Sequence, residues 1–174
     1  MNLRLAAIAI WTVLAVVMAG PVGLAATSPY LAYRDVFYIT GGFAGIVVLS
    51  LLVVQPLLAG RLLPGVRSSI ARRWHRRIGA IVVFGVLLHV GGLYIASPQD
   101  TLDALLLVSP TPFSIYGVAA LLAVIVTAVL AIMRQKLGLR YTIWRLLHNA
   151  LAIVIVVATV IHAVQIEGAM EDNV

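Results

Sequence analysis

Four histidines, His75, His89, His148 and His162, are the residues of this sequence best suited to chemistry, and their spacing is repeated. His75 and His89 stand fourteen residues apart, and so do His148 and His162. On an α-helix fourteen residues turn about 1,400°, roughly 40° short of four full turns, and rise about 21 Å. Both members of each pair therefore lie on one helix face, one toward each end. If two such helices run parallel and face each other, His75 comes level with His148 and His89 with His162. Each level then offers two opposed imidazoles. A six-coordinate haem iron requires that of a protein, because the porphyrin itself supplies four nitrogens. The two irons would lie about 20 Å apart along the helices, with electrons passing between the macrocycles. Zinc fits less well, since ligands about 21 Å apart make two isolated pairs rather than a four-ligand set. Histidines that merely hydrogen-bond between helices are the plain alternative. A doubled, face-matched spacing favours haem. Cysteine is absent, which removes thiolate ligands, cysteine-bound iron–sulfur clusters and disulfides.

The elements that carry these histidines must be membrane helices. The chain is 63% hydrophobic and 10% charged, with mean hydropathy +1.10, whereas a soluble domain carries about 25% charged residues. Five segments reach the roughly 20 apolar residues that a bilayer asks of a helix: Leu5–Ala26, Val36–Gly60, Trp74–Ala96, Pro112–Met133 and Ile143–Gln165. The expectation is an all-α, polytopic bundle of five transmembrane helices forming one domain over residues 1–174, with the histidines on the third and fifth. The first segment has leader-like features, Arg4 before it and Ala25-Ala26 at its end. Its apolar run exceeds the roughly 7–15 residues of a leader core, so a retained helix is expected. Ser97-Pro98-Gln99-Asp100 is a helix-start signal and predicts a short interfacial helix on the outer face before the fourth segment. Gly79, Gly85, Gly91 and Gly92 accompany the first histidine pair and would let a flat macrocycle approach the backbone.

The charges set the orientation. With the amino terminus cytoplasmic, Arg4, Arg61, Arg67, Arg72, Arg73, Arg76, Arg77, Arg134, Lys136, Arg140 and Arg145 fall on the inner side, and only Arg34 falls outside. All six acidic residues fall outside: Asp35, Asp100, Asp103, Glu167, Glu171 and Asp172. The net charge of +6 and the pI near 10.3 thus reflect topology in an inner or plasma membrane, and nucleic acid is excluded as a partner. Tyr30, Tyr33, Tyr94 and Tyr116 fit an outer aromatic belt, with Trp74, Tyr141 and Trp144 at the inner one. Arg76 and Arg145, beside or within a turn of an inner histidine, are the expected partners of haem propionates. Arg34, between Tyr33 and Asp35, is the candidate for the outer catalytic site, with a simple pair to Asp35 as the alternative.

The chain resembles the ferric reductase-like transmembrane domain family, which includes NADPH oxidases, metalloreductases and the haem subunit of the methionine sulfoxide reductase system. The resemblance rests on the two His-x13-His pairs, on Thr40-Gly41 and Ala59-Gly60-Arg61 at the ends of the second segment, on Arg73-Trp74-His75-Arg76-Arg77-Ile78-Gly79, and on Trp144-Arg145-Leu146-Leu147-His148. It spans about residues 34 to 166 and implies b-type haem at both levels, cytoplasmic electron input and extracytoplasmic reduction. The family has a sixth helix, often followed by flavin and nicotinamide domains. Five segments are read here, the chain stopping at Glu167–Val174 on the outer side, and no Gly-rich dinucleotide fingerprint is present. The expected partners are membrane lipid, a flavoprotein reductase or a quinol as donor, and a periplasmic or extracellular acceptor. A quinol-linked cytochrome b is the second reading, and a haem transporter or non-redox bundle the third.

Overall fold

The computed structural model describes residues 3–166. Its order is α1 (Leu3–Ala26), a 3-10 turn (Pro29–Tyr33), α2 (Val36–Ala59), α3 (Ser68–Ala96), α4 (Pro98–Leu105), α5 (Pro112–Ile132) and α6 (Tyr141–Gln165), with no strand among the described residues. Five of these helices, α1, α2, α3, α5 and α6, are long and apolar enough to cross a membrane. The protein is a multi-pass, all-helical membrane protein, and the two histidine pairs fall on α3 and α6. Glu167, Glu171 and Asp172 lie outside the described residues.

Local chemistry sets the boundaries. Asp35 opens α2 by accepting hydrogen bonds from the Phe37 and Tyr38 amides at 2.7 and 3.1 Å, which satisfies donors that the first helical turn leaves without a partner. The same helix closes with the Arg61 amide donating to Leu58 O and the Leu62 amide to Leu57 O. That is the Schellman pattern, whose left-handed position usually holds glycine. Here Arg61 occupies it at φ 57°. The short α4 forms where Ser97-Pro98 predicted it, but the Ser97 hydroxyl donates to the Asp100 carboxylate instead of capping the helix amides. α3 begins at Ser68, earlier than the expected Trp74. Alanine and arginine are good helix formers, so the helix continues through residues too polar for a bilayer core. At 29 residues it is about 44 Å long against about 30 Å of hydrocarbon, which leaves its arginine-rich start beyond the apolar layer.

Packing gathers the helices into two compact units, α1 to α3 in the first and α4 to α6 in the second. In the first, α2 and α3 form an antiparallel hairpin whose backbones touch. A Cβ on Gly92 would lie 2.8 Å from Phe37 O and 2.9 Å from Gly41 Cα, so only glycine permits this approach. A Cβ on Gly85 would likewise strike Val48 Cγ2 at 2.5 Å. Gly85 and Gly92 therefore serve the helix contact with α2, and the macrocycle-facing stripe expected of them is corrected. α1 joins through Leu14, which packs with Val54, Leu58, Leu63 and Ala71, and through the Ser50 hydroxyl, which donates to Met18 O. In the second unit α5 pairs with α6, and Trp144 Nε1 donates to Leu130 O at 3.4 Å.

Lipid tails are as apolar as leucine, so packing rather than water exclusion holds such helices together. Leu58 is 1% exposed at the centre of the first unit's cluster, whereas Leu122 is 56% exposed. Leu58→Ala should lower unfolding stability in detergent by about 2–5 kcal/mol through the cavity it leaves. Leu122→Ala should change it by less than about 0.5 kcal/mol. Equal effects from the two would contradict the packing described.

Candidate functional site

α3 and α6 each carry two histidines on one face, all four half-buried. Three of the rings are tied to a backbone carbonyl on the neighbouring antiparallel helix. His89 Nδ1 lies 2.8 Å from Gly41 O, and His75 Nδ1 lies 3.3 Å from Gln55 O, both on α2. His162 Nδ1 lies 2.8 Å from Phe113 O on α5. Gly41 and Gln55 are themselves fourteen apart, so the two imidazoles of α3 meet α2 at the same interval. Gln55 also returns a bond, its side-chain amide donating to His75 O at 3.3 Å. His148 stacks on Trp144 at 5.2 Å between ring centroids with a 14° interplanar angle. The Arg134 guanidinium covers the Trp144 ring at 4.7 Å.

These contacts decide the tautomer. A carbonyl oxygen only accepts, so Nδ1 must carry the proton in each bonded ring. In a neutral imidazole the lone pair then resides on Nε2, the one ring nitrogen left to act as a donor to a metal. Histidines that bind metal donate their other N–H to a carbonyl or carboxylate in this way, which orients the ring and raises its basicity. The donor chemistry therefore fits axial ligation of a haem iron. Among the described residues no three His, Cys, Asp or Glu side chains come together as a metal-ion site; a porphyrin iron needs only two imidazoles from the protein.

The second unit repeats one of the first unit's two imidazole–carbonyl bonds. The bonded residues are 48 apart for Gly41 and His89 and 49 apart for Phe113 and His162. Fourteen residues beyond Phe113, at the place that Gln55 takes in α2, stands Thr127. Gln55 Oε1 and Thr127 Oγ1 are both buried with no hydrogen-bond partner among the described residues. The histidine spacing is legible in the sequence and the carbonyl partners are not, because a backbone oxygen leaves no trace in residue type. The Trp144–His148 stack did have a signal, an aromatic four residues before a histidine on one helix, which places them one turn apart.

The expected arginines occupy exposed positions. Arg34 ends the 3-10 turn and lies over the Tyr38 ring at 4.6 Å, while the neighbouring Asp35 carboxylate is engaged by the α2 amides. Arg76 adjoins His75 on α3, and Arg145, within a turn of His148 on α6, lies 5.7 Å from the Tyr141 ring.

A search of curated proteins and a search of solved structures each returned no match. A protein-family model described as a ferric reductase like transmembrane component matches residues 42–159, more than half of the chain. The matched span contains His75, His89 and His148 and stops short of His162.

Proposed function

The chain belongs to the ferric reductase-like transmembrane family, and from that premise we propose that it passes electrons across a membrane through two b-type haems. His75 and His148 hold one and His89 and His162 the other. The observation that carries the reading is the carbonyl-anchored imidazole, found on both α3 and α6, which commits Nδ1 to the protein and leaves the lone pair on Nε2. A bound haem supplies a one-electron ferric/ferrous couple at each level. The chain's own residues do the rest. The four rings would hold the haem irons, and the carbonyls of Gly41, Gln55 and Phe113 fix the orientation of three of them. Arg76 and Arg145 neutralise propionates at the His75 and His148 level. The excess of basic residues at that level makes it the cytoplasmic one, so electrons enter there and leave at the His89 and His162 level. Arg34, on the opposite side from the other basic residues, attracts an anionic acceptor.

The donor proposed is a separate flavoprotein reductase. It docks on the positive field of Arg61, Arg67, Arg72, Arg73, Arg76 and Arg77, which attracts an acidic partner. Buried Gln55 Oε1 and Thr127 Oγ1 favour a second reading, in which a quinol is the donor. An acceptor oxygen without a partner is costly in a medium without water, and a quinol hydroxyl would satisfy it.

Pyridine haemochrome analysis should find about two haems b per chain, one for each pair of axial imidazoles. His148→Ala should lose the haem of its own level and keep the other. A ratio near zero in folded protein would sink the proposal, and loss confined to the His89 level would contradict the pairing.

Arg34→Ala should slow reduction of an anionic acceptor, with haem content unchanged and the effect weakening as salt rises. Rates equal to those of the parent at low salt would leave Arg34 no part in acceptor binding.

NADH or NADPH added to the purified chain in liposomes should leave the haem absorbance unchanged until a flavoprotein reductase or a quinol is supplied. Reduction through the flavoprotein should weaken at high salt, whereas reduction by quinol should not. Fast reduction by the nucleotide alone would show a binding site on this chain.

A further inference from the structure

The two shortest imidazole–carbonyl bonds share a feature that the third lacks. A helical carbonyl points at the amide four residues on, so the residue at that position borders the oxygen's second lone pair. For Gly41 O that residue is Gly45, and for Phe113 O it is Gly117. Both bonds measure 2.8 Å. For Gln55 O it is Ala59, and there the bond lengthens to 3.3 Å. A Cβ built on Gly45 would lie 2.7 Å from His89 Nδ1 and 3.0 Å from its Cε1. A Cβ on Gly117 would lie 2.8 Å from His162 Cε1 and 2.9 Å from its Nδ1. The imidazole edge thus fills the space that a methyl group would take.

We propose that Gly45 and Gly117 are positioning residues for the electron-transfer reaction, each the seat of one histidine of the His89 and His162 level. The missing side chain admits the ring to the carbonyl, fixes the Nδ1–H tautomer, and sets how strongly Nε2 binds and donates to iron. The inference rests on the haem reading above and goes beyond it, since it assigns a tuning role to two residues that touch no haem ligand atom on iron. The strain of a methyl group falls on the ring, because the crowded atoms belong to a side chain that can rotate. The helix pair can therefore stay packed while the ligand shifts. The shift weakens a hydrogen bond that raises ligand basicity, and a less basic ligand favours ferrous over ferric iron.

The test compares Gly45→Ala and Gly117→Ala with Gly42→Ala in the haem-loaded full chain, because a Cβ on Gly42 meets nothing within 4 Å. Haem transfer to apomyoglobin from one of the two sites should quicken by about 10–100-fold in each of the first two variants, the usual cost of losing a ligand's supporting hydrogen bond. One of the two midpoint potentials should rise and the other hold. Gly42→Ala should match the parent in both. Release rates and potentials for Gly45→Ala and Gly117→Ala equal to those of Gly42→Ala overturn the proposal. A parent protein that binds no haem overturns the function above instead. The parent also gives a readout that needs no variant. In the reduced, diamagnetic protein the Nδ1–H protons of His89 and His162 should exchange with solvent more slowly than that of His75, and equal exchange would count against the seats even if both alanine variants fail to fold.

Discussion

An imidazole inside a membrane-spanning helix has two ring nitrogens and no water to satisfy them, and every other feature of this protein accommodates that constraint. The solution recorded in α2–α3 and again in α5–α6 gives one nitrogen to a backbone carbonyl. A helical carbonyl already accepts one amide, and its second lone pair remains for another donor. The bond therefore costs the neighbouring helix nothing of its own ladder. It also removes a choice, because a ring whose Nδ1 must donate can present only Nε2 to a ligand.

For one helix to supply carbonyls to two histidines of another, the pair must keep a near-constant distance over four turns, which α2 and α3 do as an antiparallel pair. The interval of fourteen between Gly41 and Gln55 matches that between His75 and His89. Gly41 and Gly92 hold the backbones in contact at one end. At the other, the cluster of Leu14, Val54, Leu58, Leu63 and Ala71 ties α1, α2 and the start of α3 together. Short connections suit this arrangement. Arg61 accepts a left-handed backbone, which usually favours glycine, so that α2 can end and the chain return. His75, His89 and His162 are each oriented from within their own hairpin.

Much of this was legible in the sequence. Apolar runs near 20 residues gave the five spans, because length and hydropathy are the bilayer's own criteria. The paired interval of fourteen put two histidines on one face of each of two helices. Ser97-Pro98 gave the start of α4. What could not be read has a common cause, since it depends on which helix lies beside which. Gly85 and Gly92 looked like room for a macrocycle, whereas they are room for α2. Gly45 and Gly117 lie far in sequence from the histidines they border, so nothing local marked them. α3 starts at Ser68, ahead of its apolar run, because hydropathy reports where a bilayer core ends rather than where a helix does.

The carbonyl bonds also bear on what a ligand would meet. Three of the four rings, His75, His89 and His162, are ordered in advance by the hairpin that carries each. Under the proposed ligation, those donors would be oriented before haem arrives. Ligands that came from loops would lose that advantage, because their conformational entropy would be removed only on binding.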